Sequence, residues 1–334
     1  MIAAQKSIPI TERSSIGEAR RSAIHAAQLL GFDEGRRSDI GIVATEAATN
    51  ILVHAQSGEL LICPFVQGGS FWLDLIALDS GPGIADVSRA LEDGFSSAGT
   101  AGQGLGAIGR LTNAYSLYTA RDKGTVCWCR FSHGGPQSDM SVGLVNIPVA
   151  RETECGDAVL IRRSSARDLY MVVDGLGHGA GAAKAAEAAV EAVDRFASES
   201  LPEILIRTHD ALKVTRGAAM SLAAVDRDRR LVMHAGIGNV AAILYTGNLS
   251  RSLMAQNGTL GAVLPRVPQE YSYPLEPNSS LLMFSDGLST KKTVSNYVGL
   301  LNRPPGLVAA LLYRDFARKR DDATALYAPI GAIG

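Results

Sequence analysis

Three things this chain has little of narrow its function before any motif is read. Cysteine is the first: four stand among 334 residues, at positions 63, 127, 129 and 155, too sparse for a disulfide framework, and all are expected to be reduced thiols. Cys127 and Cys129 would share one face of a strand, but a C-x-C pair with no second pair leaves a tetrahedral metal site half built. Net charge is the second. Lys and Arg number 32 against 33 Asp and Glu, a balance of -1, so no overall positive field exists to hold a phosphate backbone, and nucleic acid is not an expected partner. A long apolar run near the start is the third. Residues 1–10 carry no basic stretch leading into an apolar core, and they are too short and polar to span a bilayer; the expectation is a cytoplasmic protein with no membrane partner.

What is present is core-forming: 46% of residues are hydrophobic and 19% charged, the balance of a globular chain. At this length one hydrophobic core stops growing, so two domains are expected, with one large α/β domain as the alternative. Helical spacing predicts helices over 15–30, capped by Ser14 or Ser15 and stopped by Gly31, and over 38–55. Alternating segments predict strands over 59–66, 71–79, 114–120 and 126–131, the last two around the turn Arg121-Asp122-Lys123-Gly124. Residues 133–139 have linker composition. They divide a first domain, 1–132, from a second, 140–334. In the second, strands are expected over 140–147, 158–162, 169–173, 220–225, 231–234, 240–245, 281–284 and 323–328, and helices over 180–197, 202–216 and 306–318. Hairpin-linked strands followed by long helices suggest antiparallel sheets covered by helices. No internal repeat is visible.

The first half carries one constellation. Glu46, Asn50 and His54 fall at i, i+4 and i+8 and share a helix face. The strand over 73–78 runs into Asp79-Ser80-Gly81-Pro82-Gly83, a carboxylate at a strand end followed by a turn that lets a ligand approach the backbone. Gly99, Gly102, Gly104, Gly106 and Gly109 then lead into a helix start suited to an anion. Together with Gly124-Thr125, this order and spacing resemble the GHKL ATPase and kinase superfamily. Asp79-Ser80-Gly81-Pro82-Gly83-Ile84 followed by Asp93-Gly94-Phe95-Ser96 is most similar to stressosome switch kinases and their anti-sigma-factor relatives. Over residues 8–131 the resemblance implies a Bergerat-type α/β sandwich that binds ATP. Asn50 would ligate Mg²⁺, Asp79 would accept from the adenine amino group, Gly81, Gly83, Gly102, Gly104 and Gly106 would shape the pocket and cradle the phosphates, and Thr125 would touch adenine. Glu46 would be the general base for a serine or threonine hydroxyl, or for water in an ATPase. His54 takes no family role and is read as a buried, hydrogen-bonded side chain. No histidine-kinase acceptor pattern is present, so direct transfer to a protein hydroxyl is preferred.

The second half places acidic residues at strand ends: Asp157, Asp174, Asp286 and Asp321. Like charges gathered at sheet ends repel, which points to a bound divalent cation with hard oxygen ligands. Asp174-Gly175-Leu176-Gly177-His178-Gly179, Ser285-Asp286-Gly287, Asp321-Asp322-Ala323-Thr324 and Gly236-Ile237-Gly238-Asn239 resemble the SpoIIE-like branch of the protein phosphatase 2C superfamily. Over residues 140–330 the resemblance implies an α-β-β-α sandwich with Mg²⁺ or Mn²⁺. Asp174 would bridge two metals, the Gly175 carbonyl, Asp286 and Asp321 would complete the shell, and Asp157 would act near or through a metal-bound water. Whether Asp321 or Asp322 binds metal stays open, His178 is left as a helix-start contact, and the short 290–302 segment suggests a reduced flap.

The combined expectation is a bifunctional regulator that adds phosphate to and removes it from serine or threonine of a partner. The resemblance supplies a STAS-domain protein as that partner, with a sigma-factor regulatory complex behind it. The alternative makes only the phosphatase catalytic, the first domain sensing ATP or holding a STAS or sigma-factor partner. Oligomeric state is not legible.

Overall fold

The structure, a computed structural model, describes residues 4–67, 70–87, 104–133, 142–247, 249–289, 294 and 297–331. Gly102, and all of the expected linker except His133, lie outside the described residues, as does part of 290–302. The chain divides into two compact units, Met1–Asp139 with Asn302–Arg314, and Met140–Leu301 with Asp315–Gly334. The α-helices among the described residues are α1 (Arg13–Leu29), α2 (Glu34–Asn50), α3 (Gly104–Leu111), α4 (Ala180–Arg195), α5 (Leu201–Leu212) and α6 (Pro305–Phe316).

In the first unit, period-two alternation builds an antiparallel sheet from β1 (Lys6–Ile10), β2 (Gly58–Gln67), β3 (Ser70–Asp79), β4 (Ala114–Thr119) and β5 (Thr125–His133), in the order β1-β2-β3-β5-β4. Leu60, Ile62, Leu73, Leu75, Cys127 and Cys129 point to one face and join Ala19, Ala23 and Ala27 of α1 and Val43, Ala44 and Ala47 of α2 in one core. Small residues on both helices let the backbones lie close to the sheet. Helix α2 begins earlier than expected, because the Asp33 carboxylate accepts from Arg36 N at 2.8 Å and caps it. It ends at Asn50, where a single π-helical turn, Ile51–Ala55, follows. That wider turn breaks the 3.6-residue period. It explains a correction: His54 is exposed, where a buried, hydrogen-bonded position was expected.

The other face of this sheet holds a charged cluster. Asp74 accepts from Arg130 Nε at 2.6 Å, Arg130 Nη2 at 2.7 Å and Trp128 Nε1 at 2.8 Å. The Arg130 guanidinium lies over the Trp72 and Trp128 rings. Asp74 is 1% and Arg130 4% exposed, so both are out of water and matched to each other. Residues Asn302–Arg314 complete this unit. Gly306 lies where a Cβ would stand 2.3 Å from Trp128 Nε1, and the Tyr313 hydroxyl donates to Glu59 Oε2 at 3.1 Å. Leu307, Val308, Ala309, Ala310 and Leu311 are all fully buried, so α6 has no solvent face over these residues.

The second unit contains two antiparallel five-stranded sheets. The first is ordered β13 (Tyr271–Pro274), β10 (Leu231–Ile237), β9 (Ala218–Asp226), β8 (Asp168–Gly175), β7 (Asp157–Arg162); the second β12 (Leu249–Ser252), β11 (Ala241–Thr246), β14 (Ser279–Phe284), β15 (Ala323–Pro329), β6 (Gly143–Ile147). Leu169, Met171, Val173, Met220 and Leu222 form a core with Ala185, Ala189 and Val193 of α4 and Ile204 and Leu205 of α5. The expected fold class, an α/β sandwich followed by helix-covered paired sheets, is the one found. The strands β1, β12 and β13 were not foreseen; each lies at a sheet edge and is only four or five residues long, too short for alternation to stand out in the sequence.

Candidate functional site

The nucleotide constellation assembles around the carboxyl end of β3. Asp79 Oδ1 accepts from Gly81 N at 2.9 Å and from Thr125 N at 3.2 Å, so the turn after β3 and the start of β5 hold one carboxylate oxygen. Burial pushes the Asp79 carboxyl above its usual range, while those two amides, and then the charges of Arg314 and His54, draw it back. Ile84 N donates to Thr119 Oγ1 at 2.9 Å, and Thr119 Oγ1 lies 3.1 Å from Thr125 Oγ1, tying the 81–84 turn to β4 and β5.

Gly83 and Gly124 both have φ of +75°. A Cβ on Gly124 would stand 2.0 Å from the Asp79 carbonyl oxygen, and one on Gly83 2.4 Å from that of Ala120. Gly124→Ala is therefore expected to cost about 1–3 kcal/mol and to weaken nucleotide binding by displacing Asp79; thermal melting and titration with a fluorescent ADP check both. Glu46 and Asn50 are half-buried on α2. Gly104 and Gly106 open α3, whose Ile108 enters the core. One contact was not foreseen: Arg314 Nη1 donates to the Asp79 carbonyl at 3.0 Å.

The carboxylates of the second half meet where sheet ends coincide. Asp157 and Asp174 stand directly opposite each other in the β7–β8 register. The Ser285 and Thr324 hydroxyls bond the Asp157 carboxylate. Each is free to donate, because Ser285 Oγ accepts from Thr324 N at 3.1 Å and Thr324 Oγ1 from Asn146 Nδ2 at 2.8 Å. Asp157 Oδ2 is nonetheless buried with no hydrogen-bond partner. Burial, before the neighbouring Asp322 and Asp321 charges, pushes the Asp157 carboxyl up to about 7. Burial and then Asp157, Asp286, Asp321 and Asp322 push Asp174 up to about 8.

Asp286 Oδ2 accepts from Asn239 Nδ2 at 2.7 Å, which gives the Gly236-Ile237-Gly238-Asn239 turn a role. Both Asp322 oxygens are engaged by backbone amides, Oδ1 by Val149 N at 2.6 Å and Oδ2 by Gly156 N at 2.7 Å, whereas Asp321 Oδ1 accepts from the neighbouring Asp322 amide at 3.0 Å. Asp322 is thus occupied as an anchor. Gly175 N donates to Gly156 O at 3.0 Å. His178 Nδ1 lies 2.8 Å from Glu152 Oε1, just before α4. As placed, no three His, Cys, Asp or Glu side chains among the described residues converge to hold a metal. The donor set still fits a divalent cation: hard oxygens, mutual repulsion, and a buried oxygen of Asp157 with nothing to satisfy it. The partners Ser285, Thr324 and Asn239 lay inside the motifs already quoted; for Arg314 no local signal existed.

Comparison with known proteins finds two separate matches along the chain. Residues 9–131 match the histidine kinase-like ATPase domain, and residues 165–329 match stage II sporulation protein E (SpoIIE). The serine/threonine-protein kinase RsbT of Bacillus subtilis (strain 168) is 35% identical over 121 residues, spanning 36% of this chain and 91% of RsbT. The phosphoserine phosphatase RsbX of the same organism is 28% identical over 138 residues, 40% of this chain and 68% of RsbX. A solved structure of the bacterial stressosome, described as a modular system adapted to control secondary messenger signaling, matches at 28% identity with a TM-score of 0.53, covering 56% of this chain and 98% of that one. The phosphatase domain and regulatory fragment of Bacillus subtilis SpoIIE share the fold at 14% identity and a TM-score of 0.50, over 96% of this chain and 97% of that one. Among the described residues no helix is long and apolar enough to cross a membrane. Domains of these two kinds imply ATP and divalent metal ions in general. The chain therefore belongs to the histidine kinase-like ATPase family of its serine/threonine-kinase relative, and it joins that domain to a SpoIIE-type serine/threonine phosphatase domain of the protein phosphatase 2C kind.

Proposed function

We propose that this chain both phosphorylates and dephosphorylates serine or threonine residues of a partner protein, the first with ATP and Mg²⁺, the second with Mn²⁺ or Mg²⁺. The observation that carries the phosphatase half is the Asp157–Asp174 pair, a buried and a half-buried aspartate opposite each other in the β7–β8 register, with one Asp157 oxygen left unsatisfied. Asp174, the Gly175 carbonyl, Asp286 and Asp321 would hold the cations, Asp157 would act beside them, and Asp322 would hold the 149–156 segment in place. Divalent cations supply there an acidified water and neutralisation of the phosphate charge. The protein's own contribution is to gather the carboxylates at sheet ends and to keep Asp157 oriented through Ser285 and Thr324.

In the ATPase half, Asp79 would read the adenine amino group with the oxygen its backbone partners leave open. Asn50 would ligate Mg²⁺, Glu46 would accept the hydroxyl proton, and Gly81, Gly83, Gly102, Gly104 and Gly106 would border the nucleotide, with Thr125 beside adenine. The partner class is a STAS-domain protein of a partner-switching pathway, supported by relatives that are themselves a serine/threonine kinase and a phosphoserine phosphatase.

The test is transfer of label from ATP to candidate STAS proteins in the presence of Mg²⁺, with Asp174→Ala to block removal. Label is expected to accumulate on one partner with Asp174→Ala and to vanish when Glu46→Ala is added. Measured ATP binding with no label on any partner would sink the kinase half and leave a nucleotide-sensing phosphatase.

A further inference from the structure

Residues 213–217 turn from α5 into β9, and Arg216 stands on that turn with its backbone held on both flanks. Thr215 Oγ1 donates to Leu212 O at 2.7 Å and accepts from Gly217 N at 3.1 Å, and Gly217 O accepts from Leu176 N at 3.0 Å. Gly217 has φ of +86°, and a Cβ there would stand 2.6 Å from the Leu260 carbonyl oxygen, so the turn needs glycine at this point. The Leu176–Gly217 bond continues the β8–β9 register, in which Asp174 faces Ala219 and Gly175 faces Ala218. Arg216 therefore falls opposite Gly177, three positions, or about 10 Å, along the ladder from Asp174.

The side chain lies on the loop that leads from Asp174 into α4. A Cβ on Gly181 would stand 2.5 Å from Arg216 Nε and Cζ, and one on Gly177 would stand 3.3 Å from Nη1. Only residues without side chains leave room for a guanidinium there. The next residue, Ala182, fixes where that seat is. A Cβ on Gly175 would stand 2.3 Å from Ala182 O, and one on Gly156 would stand 2.7 Å from the Ala182 methyl and from Asp322 Oδ2. The first turn of α4 is thus pressed against the backbone beside both Asp174 and Asp157. The Arg216 guanidinium lies one residue away, at the rim of the carboxylate cluster.

Arg216 is exposed, and among the described residues it makes no hydrogen bond and no ion pair. His178, by contrast, lies against Glu152, and the charges of Arg318 and Arg320 fall on Asp286. A guanidinium held by its backbone, seated on glycine and left without a carboxylate is a receptor for an anion. The cluster beside it still lacks a ligand, since Asp157 Oδ2 is buried with no hydrogen-bond partner.

We propose that Arg216 receives the phosphoryl oxygens of the substrate, holding a phosphoserine or phosphothreonine dianion against cations bound among Asp174, Asp286 and Asp321. This rests on the phosphatase reading above. The planar fork of a guanidinium matches two oxygens of one phosphoryl group and stays charged at every working pH. Its contact is with the phosphate itself, made alike to substrate and to released product. It therefore contributes to KM and to product affinity more than to kcat.

The experiment uses the full chain with Mn²⁺ titrated in each variant and two probes, p-nitrophenyl phosphate as substrate and inorganic phosphate as competing product. Arg216→Ala is expected to raise KM and the inhibition constant of phosphate together by about ten- to a hundredfold, the range of a hydrogen bond to a charged group, with kcat changed less than about threefold. Gly181→Ala keeps the arginine but puts a methyl where its guanidinium lies, and alanine favours a helix more than glycine does. Its melting temperature should not fall, while KM and the phosphate constant rise as in Arg216→Ala. Phosphate inhibition unchanged in either variant overturns the proposal. Weaker Mn²⁺ activation in Arg216→Ala also overturns it, by making the residue a support of the metal cluster. So does an equal loss of phosphate affinity in Arg318→Ala or Arg320→Ala, which would show a general field in place of a contact. Absence of Mn²⁺-dependent hydrolysis in the unaltered protein overturns the phosphatase reading and the role of Arg216 with it.

Discussion

Asp174→Asn is expected to lower Mn²⁺-dependent hydrolysis of an aryl phosphate by roughly three orders of magnitude while leaving ADP binding intact. The same substitution is expected to stabilise the metal-free protein at pH 8. The carboxyls of Asp157 and Asp174 are pushed up to about 7 and about 8, above the value near 4 of an unfolded chain. A raised carboxyl pKa favours the folded state in its protonated form. That contribution is complete below about pH 4 and is lost as pH rises through the folded values. The lost stability approaches about 1.4 kcal/mol for each unit separating folded from unfolded pKa. Metal-free protein should therefore melt several degrees lower at pH 8 than at pH 5, at roughly 2–4 °C per kcal/mol for a unit of this size. Added Mn²⁺ should restore more at pH 8 than at pH 5. A Mn²⁺ effect on melting that does not grow with pH, or hydrolysis retained by Asp174→Asn, would remove Asp174 from the site.

The second large effect is structural. Asp74→Ala is expected to destabilise the first unit by about 3–5 kcal/mol, because it removes the carboxylate that accepts from Arg130 Nε, Arg130 Nη2 and Trp128 Nε1 in a place with no water. The loss is that of a buried ion pair's acceptor and its three hydrogen bonds. Replacing both partners with apolar residues, as in Asp74→Leu with Arg130→Met, should recover most of it, since the pair's mutual attraction is offset by the cost of taking both ions out of water. Urea unfolding of the single and double variants decides the matter. A double variant as unstable as Asp74→Ala would show that the Trp72 and Trp128 contacts to Arg130, and its shape, matter more than the ion pair.

Much of this fold could be read from residue order because the signals were local. The β2–β3 hairpin shows in its alternation, and the strand ends carrying Asp79, Asp174 and Asp286 show in the glycine that follows each apolar run. Elsewhere the determinants were not local. The Asp33 cap was passed over because the apolar period of α2 begins only at Ile40, seven residues later. His54 was misplaced because nothing in Ile51–Ala55 announces a π turn. The apolar circumference of α6 could reveal burial but not what buries it. Asp321 and Asp322 look alike in sequence; only the amides of Val149 and Gly156, far away along the chain, distinguish the anchor.

The split membership of α6 bears on how such a gene can be taken apart. A chain cut within residues 133–139 would yield a front half whose sheet exposes Trp72, Trp128 and the Asp74–Arg130 pair, and a back half that carries off a helix with no polar side to show to water. The first unit made alone is then expected to be less soluble than one supplied with residues 302–314, which pack with it.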